Sequence, residues 1–392
     1  MTHGPVYLDY HATTPVDRRV LEAMLPYFTE TFGNPASSSH QWGWKAQEAV
    51  EEARRRIATI IGATPREVVF TSGATESNNF ALRGAAEHTP EGRRHIAVSA
   101  IEHKSVLEAA KRLRQEGWRV TTIPVGRDGR VDMAALDAAV TAETAIVSVM
   151  AANNEIGVVQ PTAEIGALAR SRGALFHVDA AQAIGKIAID VNAMQVDLLS
   201  LTAHKIYGPK GAGALYIRKR TELSPLICGG GQERGLRSGT LNVPGIVGLG
   251  CACQLCQTEM AEETPRTAQL RDRLLAGLRA NLGADAVTVN GSVEHRLPNN
   301  LHVSFAGVDG SSLLIGIGDI AVSSGSACSS ASATPSHVLS AIYGGDTHAP
   351  AATIRFGLGR YTTEQDIDYA IEKFSTVVRH LRQMAPALGV RS

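Results

Sequence analysis

The chain has 392 residues, 44% hydrophobic and 19% charged, with Lys+Arg and Asp+Glu equal at 38 each. That length exceeds one ordinary core and points to two domains with a cleft between them, while the charge balance leaves no basic footprint for nucleic acid or a membrane surface. The opening MTHGPVYLDY lacks a basic stretch followed by an apolar one, and other apolar runs fall short of the roughly 20 residues that span a bilayer, so a cytoplasmic protein is expected.

From residue 50 to 220 helical patterns alternate with short β-rich runs, the signature of a mostly parallel sheet covered by helices. Strands are predicted at 67–71, 95–100, 120–125, 145–150, 174–179, 197–202 and 213–217. Between them, 105–116 places Val106, Ala109, Ala110 and Leu113 on one helical face. A long helical segment over 244–282, expected to break near Pro265, leads out of this region. Strands are then expected at 286–290, 300–305, 320–323 and 353–358, and an amphipathic helix at 364–382. The fold class is therefore α/β, with a large domain over 16–260 and a smaller α+β domain made of 1–15 and 261–392.

The cysteines Cys228, Cys251, Cys253, Cys256 and Cys328 form no paired framework and are expected as free thiols. Cys251, Cys253 and Cys256 lie at i, i+2 and i+5 of a helix and share no single face, with no fourth ligand at zinc spacing, so they are expected to pack rather than bind metal.

Three segments carry chemistry. TSGATESNN (71–79) follows a strand and opens a helix; a Gly-bearing turn at a helix N-terminus offers backbone N–H groups and hydroxyls to a phosphate. It has neither the spacing of a dinucleotide fingerprint nor that of a nucleotide triphosphatase loop, and Ser and Thr are also ordinary caps. In HVDAAQ (177–182) a strand ends on Asp179, at the edge where open α/β sheets bind ligands. A helix cap is the alternative for that aspartate. In AHKIYGPKG (203–211) Lys205 sits between an apolar strand and a Gly-Pro turn, where partial desolvation makes an amine nucleophilic. A surface lysine at a strand end is the plainer reading.

Together with Tyr7-Leu8-Asp9-Tyr10, Ala12-Thr13-Thr14-Pro15, Glu102-His103, Asn153-Asn154-Glu155-Ile156-Gly157, GGGQERGLRSGT (229–240), SSGSAC (323–328) and Ile354-Arg355-Phe356, these segments resemble, nearly end to end, the cysteine desulfurases. These are pyridoxal-5′-phosphate enzymes of the aminotransferase class V fold, here on the SSGSAC branch. The resemblance implies that Lys205 carries the cofactor covalently, Asp179 meets its ring nitrogen, Gln182 approaches the ring hydroxyl and His103 stacks on the ring and moves protons. It further implies a phosphate held by Ala74, Thr75, Thr202 and His204, with Thr240 arriving from the second subunit of a homodimer. Asn154 and Arg355 would grip the carboxylate of L-cysteine, and Cys328 would take its sulfur as a persulfide for an acceptor protein such as an iron–sulfur scaffold or a thiolation enzyme. The small residues around Cys328 read as a loop rather than as core.

Selenocysteine lyase activity on the same fold is the alternative within enzymes; a non-catalytic sulfur-relay scaffold would leave Lys205 and Cys328 free to change, and both are present. His11 stands where many relatives carry a small or polar residue, with no role assigned. The sequence ends at Gly389-Val390-Arg391-Ser392 without the longer tail that some relatives use to dock a scaffold, which leaves the acceptor open.

Overall fold

The computed structural model describes residues 4–90, 92–324, 336–345, 350 and 352–384. After β1 (Val6–Tyr7), one sheet gathers β2 (Val68–Thr71), β3 (His95–Ser99), β4 (Arg119–Ile123), β5 (Thr144–Ser148), β6 (Leu175–Asp179), β7 (Leu198–Thr202) and β8 (Gly213–Ile217), in spatial order β2-β8-β7-β6-β5-β3-β4. These are the seven expected strands, with ends shifted by one or two residues at most. β8 runs antiparallel to both neighbours; the other pairings are parallel. β2, β3, β5, β7 and β8 are buried along their whole length, as strands covered on both faces must be. β4, at the edge, is rich in Arg and Thr and largely accessible, which discourages further pairing. Because β2 and β7 both run opposite to β8, the carboxyl ends of β2, β3, β5, β6 and β7 emerge along one border of the sheet, where ligands bind in such folds.

The rest of the chain makes a second core. β9 (Val287–Val289), β10 (Asn300–Phe305), β12 (Ser323–Ser324) and β13 (Thr353–Gly357) form an antiparallel sheet in the order β12-β13-β10-β9, and β11 (Ile320–Ala321) pairs in parallel with β1. The single strand expected at 320–323 is thus two, because the chain changes partner at Val322: β11 holds the N-terminal segment and β12 holds β13. Val6 and Leu8 join Leu274, Phe305, Phe356 and Phe374 in this core, with the Phe356 and Phe374 rings 4.9 Å apart edge to face.

The break expected near Pro265 does not occur: helix Val243–Leu282 continues through it. Proline removes one N–H and crowds the carbonyl four residues back, but side-chain contacts hold the helix across and before it. Thr267 donates to Glu263 O, and Arg360 bridges Glu259 and Glu263. Cys253 and Cys256 on this helix are buried in the core of the large sheet, and Cys251 is half-buried. Burial pushes the Cys253 and Cys256 thiols up, away from reactive thiolate.

Glu233 and Arg234 both adopt positive φ, 49° and 61°. This strained turn is fixed by a buried bidentate pair: Arg54 Nη2 donates to Glu233 Oε1 at 2.7 Å and Nη1 to Oε2 at 2.8 Å, while Phe70 N of β2 donates to the same carboxylate at 2.9 Å. The GGGQERG loop is thereby pinned beneath the strand that leads to the TSGATESNN turn. Among the described residues no helix is long and apolar enough to cross a membrane.

Candidate active site

A cavity of about 610 Å³ opens at the converging strand ends. At one side Thr71 ends β2 and the chain turns through Ser72 and Gly73 into helix Ala74–Glu87. Gly73 has φ 149°, open to glycine and strained for other residues. Under it passes the first residue of β8: a Cβ on Gly213 would lie 2.5 Å from Gly73 Cα and 2.7 Å from Leu201 O. Glycine at both positions lets strand and turn close up, and the helix's first amides, which have no carbonyl partner within the helix, form a cradle with Thr75, Thr202 and His204 on the cavity wall. A Cβ on Gly73 would stand 3.5 Å from Thr202 Oγ1. Glu76 closes the back of the turn: it accepts from Ser72 N at 2.8 Å and from Arg237 Nε at 2.9 Å. Burial pushes its carboxyl up, but those bonds outweigh burial and hold it below the usual range.

Asp179, the last residue of β6, is buried; its Oδ2 accepts from Asn78 Nδ2 at 2.7 Å and its Oδ1 from Ala181 N at 2.9 Å. Asn78 also donates to Ser105 Oγ at 2.8 Å, and Ser105 reaches His103 Nδ1 through Oγ at 2.8 Å and through its backbone N–H at 3.1 Å. Because Nδ1 accepts an N–H, the neutral ring carries its proton on Nε2. Burial depresses the His103 pKa, so the neutral ring prevails at neutral pH. Its neighbour Glu102 is fully buried; Oε1 accepts from Met150 N at 2.8 Å, and Oε2 has no partner among the described residues.

Lys205 follows β7 in a single 3₁₀ turn and donates Nζ to His11 O and Ala12 O, both at 2.6 Å. Gln182 meets the same N-terminal strap: Nε2 donates to His11 O at 3.0 Å and Oε1 lies 2.9 Å from His11 Nδ1. His204 Nδ1 is 3.2 Å from Thr13 Oγ1, and its ring is kept neutral by burial and the adjacent lysines, with its pKa lowered to about 4. Opposite, Arg355 of β13 donates to Asn154 O at 2.8 Å, Asp9 Oδ1 at 2.8 Å and Ser323 Oγ at 2.9 Å, leaving Nε buried without a partner among the described residues.

Ala74, Thr75, His103, Asn154, Asp179, Gln182, Thr202, His204, Lys205 and Arg355, selected from the sequence, thus line one cavity. Thr240 is exposed and outside that lining, and Cys328 lies outside the described residues. Asp9, Asn78, Glu76 and Ser323, which have no role assigned from the sequence, lie inside the same motifs. The donor set fits a phosphate-bearing aromatic cofactor: an amide and hydroxyl cradle at one end, a fixed carboxylate midway, a lysine amine within the same walls, and an orphaned guanidinium N–H across the cavity.

A family model described as Aminotransferase class-V matches residues 6–370. The chain is similar to the cysteine desulfurase IscS of Anaeromyxobacter dehalogenans (strain 2CP-C), 56% identical over 384 residues that span 97% of this chain and 94% of that relative. Among solved structures it is similar to a NifS-like protein, with a TM-score of 0.89 and 41% identity over 96% of this chain and 100% of that one. It is also similar to SspA in complex with cysteine, with a TM-score of 0.81 and 39% identity over 91% of this chain and 100% of that one.

Burial raises the Glu102 carboxyl from 4.5 to about 8. Between those values the unfolded chain ionises while the folded protein keeps its proton, so this group makes stability fall as pH rises through the window and level off above it. Glu102→Gln keeps an acceptor for Met150 N and removes the titration. Denaturant unfolding is expected to find the two proteins similar at pH 5, and the variant more stable at pH 8 by on the order of a few kcal/mol. Parallel pH profiles would contradict this.

Proposed function

The chain belongs to the class-V aminotransferases, and as a pyridoxal-5′-phosphate-dependent cysteine desulfurase it converts L-cysteine to L-alanine; from that premise we propose a role for each residue of its cavity. Ala74 and Thr75 amides with Thr202 and His204 hold the cofactor's phosphate, Asp179 meets the ring nitrogen, Gln182 the ring oxygen, His103 the ring face, and Lys205 the aldehyde carbon. When bound, pyridoxal phosphate supplies an electron sink for the substrate's Cα. Asn78 and Ala181 N–H orient the Asp179 carboxylate, and Ser105 orients His103 so that Nε2 is the nitrogen offered to the cavity. Arg355, clamped by Asp9, Ser323 and the Asn154 carbonyl, presents its guanidinium to the substrate carboxylate with no rotamer search. Asn154 completes that grip.

The Cys328 thiolate then takes the substrate sulfur: the bond from substrate Cβ to sulfur breaks, a sulfur–sulfur bond forms on Cys328, and the protons of the two thiols end on alanine and on the persulfide. The persulfide passes to an acceptor protein such as an iron–sulfur scaffold or a thiolation enzyme, in the cytoplasm. A large part over 16–260 carries the cofactor, and a small part over 1–15 and 261–392 carries Cys328 and Arg355, with helix Val243–Leu282 common to both. The working unit is a homodimer in which Thr240 serves the partner's phosphate. Two features support this: Thr240 is exposed, and Leu25, Phe28, Phe32, Trp42 and Trp44 are all about half-exposed or more on one N-terminal stretch.

The observation that carries the reading is the convergence of Lys205, Asp179 and Arg355 on one cavity. Cys328→Ser is expected to keep the yellow colour of the bound cofactor and its spectral response to L-cysteine, while alanine release falls at least 100-fold, because a serine hydroxyl is scarcely ionised at neutral pH. Alanine release at the wild-type rate would refute the sulfur-transfer step. Heterodimers of Lys205→Ala with Thr240→Ala chains place both lesions in one site and leave the other intact. They are expected to regain about half the wild-type turnover per dimer; turnover no higher than that of the impaired parents would show that Thr240 acts within its own chain.

A further inference from the structure

His11 is 2% exposed, lines the cavity and has no part in the roles above. Two contacts tie it to Gln182: Gln182 Nε2 donates to His11 O at 3.0 Å, and Gln182 Oε1 lies 2.9 Å from His11 Nδ1. A carbonyl only accepts, so the first contact fixes which end of the amide is NH₂. The other end is then an oxygen, and His11 Nδ1 must carry a hydrogen; the opposite tautomer would set two acceptors 2.9 Å apart. Turning the amide over would set its oxygen against the His11 carbonyl, a repulsive contact that no change of ring tautomer relieves.

We propose that His11 is a positioning residue, whose Nδ1–H clamps Gln182 Oε1 so that the remaining hydrogen of Gln182 Nε2 is held toward the ring oxygen of the bound cofactor. This rests on the assignment of Gln182 given above. Gln182 is itself 8% exposed, so an unclamped amide oxygen would be buried with one partner fewer. Burial and the nearby Arg355 keep the imidazole neutral, lowering its pKa to about 3, and its Nε2 is buried without a partner among the described residues, consistent with the lone pair being there. Room for the ring comes from Gly357, where a Cβ would lie 2.8 Å from His11 Cδ2. The same His11 carbonyl also accepts from Lys205 Nζ at 2.6 Å, so one residue registers both Lys205 and Gln182.

Asparagine carries an N–H donor at the same bond separation from Cβ as histidine Nδ1, whereas glutamine carries one farther out. The test therefore compares His11→Ala, His11→Asn, His11→Gln, Gln182→Ala and the double variant His11→Ala/Gln182→Ala as cofactor-loaded enzymes. Two readouts are taken: the visible absorption spectrum of the bound cofactor and its rate of loss on dilution into a pyridoxal phosphate scavenger, with thermal unfolding of each apoprotein as the check on folding. Gln182→Ala, His11→Ala and His11→Gln are expected to change the spectrum in the same sense and release cofactor about 10-fold faster, the double variant to be no worse than Gln182→Ala, and His11→Asn to match wild type. His11→Asn as impaired as His11→Gln, or single effects that multiply in the double variant, would overturn the proposal. A His11→Ala enzyme that matches wild type while Gln182→Ala does not would overturn it and leave the Gln182 assignment standing. A silent Gln182→Ala would remove that assignment and the proposal with it. Should His11→Ala fail to fold, the contrast between His11→Asn and His11→Gln decides.

Discussion

The site depends on the close passage of β8 beneath the turn at Gly73. A side chain on Gly213 would collide with the backbone of that turn and with Leu201 O, and β8 is paired to β2 on one side and β7 on the other, so its position also sets where Thr71 and Thr202 end. Thr71 leads to the anion cradle and Thr202 to Lys205 three residues on. Two glycines thus fix the separation between cradle and lysine amine through backbone contact, which is stiffer than any side-chain arrangement.

A second constraint joins the two cores. The N-terminal strap leaves β1, which is bound to β11, and crosses the cavity. Along it Asp9 grips Arg355, His11 meets Gln182 and Lys205, Thr13 meets His204, and Thr14 bonds Tyr207 N. Arg355 belongs to the small sheet, whereas Gln182 and Lys205 follow the ends of β6 and β7 in the large one, so a short segment of irregular chain carries the geometric relation between the Arg355 guanidinium and the Lys205 amine. Asp9 also sets a negative charge against the guanidinium at 2.8 Å, with little exposure of either group, which keeps the desolvated arginine paired.

Much of this was legible in the sequence because it is local. The strands of the large sheet are apolar runs bounded by turns, Asp179 ends one of them, and Lys205 stands between a strand and a Gly-Pro turn. What escaped depends on partners far along the chain. Asp9 finds Arg355 346 residues away, Asn78 finds Asp179 101 away, and Ser323 finds Asp9 314 away; no periodicity encodes such pairings. Asn78 read as one polar residue among several in a capping segment, although its place one turn into the helix aims it at the neighbouring strand end. Pro265 misled for the opposite reason: a local rule said break, and packing at both ends of the helix, with Thr267 spanning the weak point and Arg360 tying down the turn before it, overrode it. The strand expected at 320–323 failed to divide correctly because a change of hydrogen-bonding partner leaves no mark on side-chain alternation.

The central claim is that Lys205, among the amines of the cavity, is the one that bonds the cofactor. Two lysines line that space, Lys205 and Lys210, and they differ in placement: Lys205 is held against the N-terminal strap by His11 O and Ala12 O, while Lys210 is exposed at the mouth. Borohydride reduction of the purified, cofactor-loaded enzyme followed by peptide mapping distinguishes them. The account predicts a reduced pyridoxyl adduct on the peptide containing Lys205 and at that residue; an adduct on Lys210, with Lys205 unmodified, would contradict it.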